Sequence, residues 1–215
     1  MSEDGKSILV DTSRCTGCRG CQIACKQWNQ LPAVKTKQTG TYQNPPDFTP
    51  ETWKVVRFAE GTKEGSREPY WNFFSDMCRH CVNPPCMVAS ENDEMIHDDD
   101  TGAIVYTEAT KNCDYEMARG ACPYDVPRQN PESKVMFKCT MCIDRQKNGM
   151  KPACVLSCPT AMEYGEREAI LKLAAERVAE LKKDYPKAQA IDADDVRVIF
   201  IVVDDPAKYH DHAEA

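Results

Sequence analysis

Cysteine is the residue type in this sequence whose side chains could do chemistry, as their number and spacing indicate. The chain has thirteen cysteines among 215 residues, which is several times the usage of an ordinary globular protein. An odd count in a chain of this length argues against a disulfide framework, which is typical of much shorter secreted domains. The cysteines form four groups: Cys15, Cys18, Cys21 and Cys25; Cys78, Cys81 and Cys86; Cys113 and Cys122; and Cys139, Cys142, Cys154 and Cys158.

The first group has the spacing of a loop that binds an iron-sulfur cubane. Its pattern is C-x2-C-x2-C-x3-C. Three cysteines at this spacing converge on one small volume and suit three corners of a [4Fe-4S] cluster, whereas the fourth ligates a neighbouring cluster. Zinc is the alternative, but structural zinc usually takes its ligands as two separated C-x2-C pairs. The spacing therefore predicts cubane clusters that occur in pairs.

In such loops the fourth cysteine crosses over to ligate the neighbouring cluster, and we call this the crossing rule. It assigns the ligands of three clusters. The first and fourth groups share two clusters, because each supplies three ligands to one cluster and a single ligand to the other. The second group completes its cluster with Cys122, which precedes Pro123 in the third group. The predicted sets are Cys15, Cys18, Cys21 and Cys158 for cluster one, Cys25, Cys139, Cys142 and Cys154 for cluster two, and Cys78, Cys81, Cys86 and Cys122 for cluster three.

A fourth cluster is missing from this pattern. Its crossing ligand would lie at Ser90, and two of its loop ligands would lie near Glu116 and Arg119. Because these positions belong to one cluster but lie in two separate stretches, we interpret segment 112–124 as a cluster loop from which one cluster has been lost. Cys113 is then a remainder that serves no cluster.

Three polar side chains beside the ligands allow more than one interpretation. Lys26 and Lys138 each stand next to a predicted ligand and could raise a cluster's reduction potential, although lysines at such positions are more often simply solvated. His80 lies between two predicted ligands. Since the ligands there are already cysteines, we expect His80 to act around the ligands or at a partner contact, not as a ligand.

The elements that position these cysteines are predicted to be sparse and short, as expected where clusters replace much of an apolar core. Segments 52–58, 102–107 and 195–203 are rich in β-branched residues and are predicted as strands. Segment 166–185 is the one clear amphipathic helix, because apolar residues recur at helical spacing and Pro186 follows it. Segment 35–50 is predicted as a loop.

Charge and sequence patterns exclude several functions. The formal net charge of −7 provides no basic surface for nucleic acid. No apolar run reaches the roughly eighteen residues of a membrane span. The sequence has no Ser-His-Asp set, phosphate-binding loop or dinucleotide fingerprint. Residues 1–11 lack a basic region, an apolar region and a twin arginine, so no export signal is predicted.

Four long motifs resemble those of one family over residues 8 to about 168. They are CTGCRGCQIACKQWN, CRHCVNPPC, ACPYDVPR and KCTMCIDRQKNGMKPACVLSCPTAMEYG. The family is that of the ferredoxin-type electron-transfer subunits of molybdenum and tungsten oxidoreductases, whose full members carry four clusters. The three-cluster pattern is most similar to the beta subunits of the soluble periplasmic tungsten formate dehydrogenases of sulfate-reducing bacteria.

The resemblance implies an α+β fold of two bacterial-ferredoxin-like subdomains organised around the clusters. Residues 1–65 and 135–215 would form the subdomain with two clusters, including the long helix near the C-terminus. Residues 66–134 would form an inserted subdomain with one cluster. The resemblance also implies a large catalytic partner subunit that holds a tungsten- or molybdenum-bound pterin.

Clusters with no vacant ligand position accept and pass single electrons, so three of them indicate a relay. We expect a non-catalytic subunit that carries electrons between a formate dehydrogenase subunit and a soluble c-type cytochrome. The alternatives are the same relay for dimethyl sulfoxide, polysulfide or nitrite reduction, and a zinc-binding interaction module. Since a relay survives loss of a terminal cluster better than loss of an inner one, the missing cluster is predicted to be the one farthest from the catalytic partner.

The predicted location follows from where clusters are made. Cubane clusters are inserted in a reducing compartment, and no export signal is predicted for this chain. A periplasmic site, which the resemblance favours, would therefore require export in folded form with a partner that bears a twin-arginine signal. A cytoplasmic location is the alternative.

Overall fold

Short strands and short helices alternate along the chain, which gives an α+β fold in a computed structural model that describes residues 5–63 and 65–215. Residues 1–4 and Glu64 lie outside the described residues. The first four belong to the N-terminal stretch in which no export signal is predicted, and all five belong to the predicted segment 1–65.

The strands are β1 (Lys6–Asp11), β2 (Val55–Thr62), β3 (Pro69–Asp76), β4 (Met95–His97), β5 (Ile104–Tyr106), β6 (Arg128–Gln129), β7 (Met136–Phe137), β8 (Met162–Glu166), β9 (Gln189–Ile191) and β10 (Val198–Val202). The α-helices are α1 (Gly20–Trp28), α2 (Tyr115–Gly120), α3 (Ile143–Lys147), α4 (Ala153–Leu156) and α5 (Arg167–Leu181). Short 3₁₀ helices span Thr12–Arg14, Pro85–Ala89, Glu108–Asn112 and Pro206–Lys208.

A four-stranded sheet joins the beginning and the end of the chain. Its strand order is β8-β1-β10-β9, with β1 and β10 parallel and the other two pairs antiparallel. The register places Ile8 opposite Val198 on one side and opposite Tyr164 on the other. Strand β10 is buried along its whole length, because it is an inner strand of five apolar residues that is covered on both faces.

Helix α5 packs on this sheet against β1, β8, β9 and β10. Ile170 and Ala174 are buried beneath it, as the amphipathic pattern predicts. The predicted helix is confirmed but ends at Leu181, and residues 182–185 form tighter turns in which Asp184 N donates to Leu181 O. Pro186 disfavours helical geometry at Tyr185, so the helix cannot reach its predicted end, but this does not account for the end at Leu181. Within the described ranges, none of the helices has the length and apolar character needed to cross a lipid bilayer.

The other six strands form three two-stranded hairpins: β2 with β3, β4 with β5, and β6 with β7. The predicted strands 52–58, 102–107 and 195–203 correspond to β2, β5 and β10, with ends that differ by up to four residues. Strand β2 begins late because Thr52 instead bridges to Thr49 in a tight turn. Segment 35–50 contains no helix or regular strand, as predicted.

One continuous apolar core runs through the chain. It contains Ile8, Phe74, Met77, Val126 and Phe200, which come from both predicted subdomains. The predicted boundary after residue 65 falls in the turn of the β2–β3 hairpin, whose two strands pair along eight residues each. The division into two subdomains stays a prediction.

A smaller apolar group, which we call the satellite core, lies apart from the main core. Met95, Ala118 and Met136 are its buried members, and Tyr106 and Cys113 are among the side chains that pack around it.

Candidate metal-cluster sites

The first cavity lies at the beginning of α1 and contains about 320 Å³ of space between protein atoms, part of which is open to solvent. Four cysteines line it: Cys15, Cys18, Cys21 and Cys158. The Cys18 side chain is exposed, whereas Cys21 is buried. The loop between Cys15 and Cys18 turns at Gly17, whose φ is +64°, and a Cβ there would lie 3.2 Å from the rings of Phe58 and Phe73. Only glycine fits this close left-handed turn without strain.

The second cavity lies deeper and contains about 300 Å³. It is lined by Cys25, Cys139, Cys142 and Cys154, and all four are buried. Helix α1 supplies Cys25, and α4 supplies Cys154. The loop before α3 supplies the other two, and its left-handed residues Met141 and Cys142, with φ of 56° and 51°, turn the backbone around the cavity.

The third cavity contains about 340 Å³. It is lined by Cys78, Cys81, Cys86 and Cys122. The first three come from the segment between β3 and the end of the 3₁₀ helix Pro85–Ala89, and Cys122 follows α2. The four cysteines that the crossing rule groups together therefore line one cavity in each of the three cases.

The second cavity lies between the other two. The Cys25 thiol is close enough to Cys21 of the first cavity, and the Cys139 thiol is close enough to Cys78 of the third, for each neighbour to raise its pKa. Burial is the larger cause of both pKa shifts. The cavities thus form a row in the order one, two, three.

The donor set of each cavity fits a cluster of soft metal ions. At least one thiol in each set accepts a backbone N–H: Cys158 from Ala161 at 3.3 Å, Cys139 from Met141 at 3.3 Å and Cys78 from His80 at 3.4 Å. Such bonds stabilise thiolate sulfur and tune a cluster. No three His, Cys, Asp or Glu side chains of the described residues converge closely enough to hold a single ion, and the four thiols of each set face one another across a cavity instead.

Burial shifts the thiols towards their protonated form. It is the main cause that raises the pKa of Cys142 to about 11 and of Cys122 to about 12, and neighbouring thiols add to the effect. A coordinating metal would have the opposite effect on the thiol, because metal coordination removes its proton.

Two of the polar side chains singled out from the sequence are buried. The expectation that Lys138 is solvated is wrong, since the side chain is 4% exposed, donates to the carbonyls of Ile104 and Cys139, and lies over the Tyr106 ring. His80 is fully buried and its Nδ1 accepts from Ile104 N at 3.0 Å. His80 therefore supports the loop from inside and is not a partner contact. Lys26 is partly exposed and donates to the carbonyl of Glu51.

The sequence reasoning missed Lys54 and Ser75. Lys54 is 1% exposed and lines the second cavity. The Ser75 hydroxyl lies 3.1 Å from Cys21 Sγ of the first cavity. A lysine inside the apolar run Trp53-Lys54-Val55-Val56 was the available signal for the first, because a strand residue with buried neighbours is rarely charged without a reason. No local signal singles out Ser75.

Local contacts occupy the positions predicted for the missing cluster. Ser90 Oγ donates to Glu94 Oε2 at 2.9 Å, and Arg119 forms a bidentate ion pair with Asp125 at 2.6 and 3.0 Å. The Cys113 side chain packs against the satellite core. Glu116, the remaining position, is exposed.

Comparison with known proteins agrees with this geometry. The family model described as "4Fe-4S dicluster domain" matches residues 69–167. The chain is 50% identical over 215 residues to the formate dehydrogenase subunit beta of Megalodesulfovibrio gigas, covering 98% of this chain and 99% of the relative.

Two further relatives extend the comparison. The formate dehydrogenase 2 subunit beta (cytochrome c-553) of Nitratidesulfovibrio vulgaris is 46% identical over 215 residues, covering 97% of this chain and 98% of the relative. The formate dehydrogenase-O iron-sulfur subunit of Escherichia coli is 38% identical over 210 residues, covering 94% and 69%. The predicted resemblance and the predicted role in electron transfer are confirmed. This chain belongs to the iron-sulfur (beta) subunits of formate dehydrogenases, a family of electron-transfer proteins.

Proposed function

We propose that this chain relays single electrons through three [4Fe-4S] clusters. The observation that carries the proposal is that twelve of the thirteen cysteines line three cavities in fours. The ligands are Cys15, Cys18, Cys21 and Cys158 for cluster one; Cys25, Cys139, Cys142 and Cys154 for cluster two; and Cys78, Cys81, Cys86 and Cys122 for cluster three.

The chain's own residues bind and shield the relay, while each bound cluster supplies reversible one-electron chemistry. The thiols would hold the metal, and backbone N–H groups donate to at least one sulfur of each set. Apolar side chains such as Ile8, Met77 and Val56 line the cavities and exclude water. Because the second cavity adjoins both of the others, an electron passed between clusters one and three would go through cluster two.

The catalytic chemistry belongs to a partner in this proposal. The chain is the non-catalytic subunit of a complex in which a large subunit with a tungsten- or molybdenum-bound pterin oxidises formate or reduces CO2. The names of the relatives, which are beta or iron-sulfur subunits of formate dehydrogenases, support this assignment.

A soluble c-type cytochrome is the proposed external acceptor. One relative carries "cytochrome c-553" in its name. The formal charge of −7, to which anionic clusters add, would attract a lysine-rich partner and speed the encounter. The complex is proposed to work in the periplasm after co-export with a signal-bearing catalytic subunit, with the cytoplasm as the alternative. Cell fractionation of the native organism distinguishes these locations.

Metal analysis of the complex, purified without oxygen, tests the proposal. We expect about twelve iron atoms and no zinc per beta chain, beyond the iron of the partner. Cys15, Cys142 and Cys81 are one ligand from each set. Replacing each of them with serine should weaken or alter the signal of a different cluster in the electron paramagnetic resonance spectrum of the reduced complex. Zinc in place of iron, or one cluster affected by all three variants, would refute the proposed ligand sets.

A further inference from the structure

Two buried lysines have no carboxylate partner among the residues that the structure describes. Lys54 is 1% exposed and Lys138 is 4% exposed. Among the described residues, none of the ion pairs includes either of them. A buried ammonium group is strongly unfavourable unless it is paired with a negative charge and hydrogen-bonded. Their positions therefore call for an anion that the protein chain itself does not supply.

Lys54 lies between the first and second cavities. It lines the second cavity, donates to Ser75 O at 3.1 Å and lies 2.8 Å from Met77 Sδ. Ser75 also lines the first cavity, where its hydroxyl lies 3.1 Å from Cys21 Sγ. The ammonium group of Lys54 thus lies between residues of two cavities.

Lys138 lies between the second and third cavities. Its ammonium group lines the third cavity and lies 4.7 Å from the centre of the Tyr106 ring. It also donates to the carbonyl of Cys139 at 3.2 Å, and the thiol of that residue lines the second cavity. Its charge lies nearest the third cavity, because Lys138 is among the residues that line that cavity and not among those that line the second.

Among the described residues that line these three cavities, one further buried cation has a carboxylate partner. Arg79 also lines the third cavity, but its guanidinium is 2.9 Å from the carboxylate of Asp76. Asp76 is in turn 2.9 Å from Arg57. Arg79 therefore has a carboxylate partner in the chain, whereas Lys54 and Lys138 have none among the described residues that line the three cavities.

We propose that Lys54 and Lys138 are fixed counter-charges at the two junctions of the relay. Lys54 raises the reduction potentials of clusters one and two, and Lys138 raises chiefly that of cluster three. The reason is electrostatic: reduction adds one electron to a cluster that is already anionic, and a nearby buried cation stabilises the reduced form. Because Lys54 acts on both cluster one and cluster two, it raises both reduction potentials and changes the difference between them little. This inference rests on the proposed three-cluster relay.

Potentiometric titration of the intact complex, followed by paramagnetic resonance, tests the inference. Three matched variants are compared: Lys54→Gln, Lys138→Gln and, as the control, Lys26→Gln. Lys26 is also next to a ligand but is partly exposed, so water screens its charge. We expect Lys54→Gln to lower the midpoint potentials of clusters one and two and to leave cluster three unchanged. Lys138→Gln should lower that of cluster three most, and Lys26→Gln should shift none comparably.

The experiment can refute the counter-charge role without refuting the proposed function. If the wild-type complex lacks about twelve beta-chain iron atoms, the relay itself is refuted. If the iron is present but Lys54→Gln and Lys138→Gln titrate like Lys26→Gln, only the counter-charge role is refuted. Lys54→Arg keeps the charge and should restore the potentials of clusters one and two. If Lys54→Gln does not assemble, the shift of cluster three in Lys138→Gln decides the proposal.

Discussion

Cys113 and Cys122 lie in one short segment but have different surroundings. Cys122 lines the third cavity, whereas Cys113 packs against the satellite core. Burial, and then the carboxylates of Glu94 and Glu91, raise the pKa of the Cys113 thiol. A protonated thiol is a poor nucleophile and a poor metal ligand. The structure thus gives Cys113 the character of a small, inert apolar side chain.

Serine replacement of these two cysteines should have opposite effects on iron. Cys113→Ser should leave about twelve iron atoms in the beta chain and normal electron transfer, because it removes no proposed ligand. Cys122→Ser should cost up to about four iron atoms, since it opens the third set. Iron analysis and spectra of the reduced variants make the comparison. Loss of iron from Cys113→Ser but not from Cys122→Ser would overturn the crossing assignment.

Ser75 offers a test of a single hydrogen bond. Its hydroxyl lies 3.1 Å from Cys21 Sγ and is buried, so it would donate to a ligating thiolate. Hydrogen bonds to cluster sulfur raise the reduction potential. We expect Ser75→Ala to lower the midpoint potential of cluster one and to leave cluster three unchanged in a potentiometric titration. Ser90→Ala removes a hydroxyl that donates to Glu94 and to the carbonyl of Asn92; it is the control and should shift neither.

Strand β10 holds the first and last parts of the chain together. Phe200 in this strand is 1% exposed and stacks on Phe74 with ring centroids 4.2 Å apart. The guanidinium of Arg79 lies 4.4 Å from the Phe200 ring. The ring therefore joins the main sheet to the segment that supplies the ligands of the third cavity.

Truncation of Phe200 should destabilise the protein strongly. We expect Phe200→Ala to reduce the free energy of unfolding by about 3–5 kcal/mol, through lost burial and the cavity that remains. Denaturant titration, read by loss of cluster absorbance, measures the change. Tyr185→Ala, at a ring that is 46% exposed, is the matched control and should change stability by less than about 0.5 kcal/mol. Equal effects of the two variants would contradict the role of β10.

Asp47 fastens the predicted loop 35–50 to two strands. Its carboxylate is 2.7 Å from Arg57 in β2 and 2.5 Å from Arg128 in β6. Burial acts to raise the pKa of Asp47, but hydrogen bonds from Arg128 and Arg57 lower it below the ordinary value of 3.8. A carboxyl group with a lowered pKa stabilises the folded state above its unfolded pKa, and this contribution is lost as the pH falls through the folded pKa.

The lowered pKa of Asp47 determines how the effect of an Asp47 variant on stability depends on pH. We expect Asp47→Asn to lower the free energy of unfolding by about 1 kcal/mol at pH 7, a value discounted for solvent screening because the side chain is 45% exposed. The difference from wild type should stay constant from pH 8 to pH 5 and shrink only below about pH 4. Unfolding midpoints across this range test it, with Asp211→Asn at an exposed position as the control. A difference that vanishes already at pH 6 would contradict it.

The row of cavities gives the subunit two ends. The first cavity has the exposed Cys18, the second is buried, and the third adjoins the satellite core where the positions of the missing cluster lie. The missing cluster would have continued the row beyond cluster three. We therefore expect the catalytic subunit to dock near cluster one and cluster three to be the exit to the cytochrome.

Electron flow through a complex with a damaged third site tests this direction. In Cys122→Ser, formate should still reduce clusters one and two, because they lie before the damaged site. Reduction of the cytochrome should fall to the level seen without a functional relay. Paramagnetic resonance after formate addition and cytochrome absorbance measure the two steps. Cytochrome reduction at the wild-type rate, or a structure of the complex with cluster three next to the catalytic subunit, would reverse the proposed order.

The cysteines that the spacing groups together line the same three cavities in the structure. A cubane loop is a local structure whose geometry depends on the few residues between its ligands, and the crossing rule added the distant fourth cysteine of each set. Local patterns also predicted helix α5 and strands β2, β5 and β10 to within a few residues. The buried positions of Lys54 and Lys138, and the approach of Ser75 to Cys21, required the folded structure. The surroundings of a side chain are set by segments distant in sequence, as when β2 and β3 bring Lys54 and Ser75 to the cavities formed by the first and last groups of cysteines.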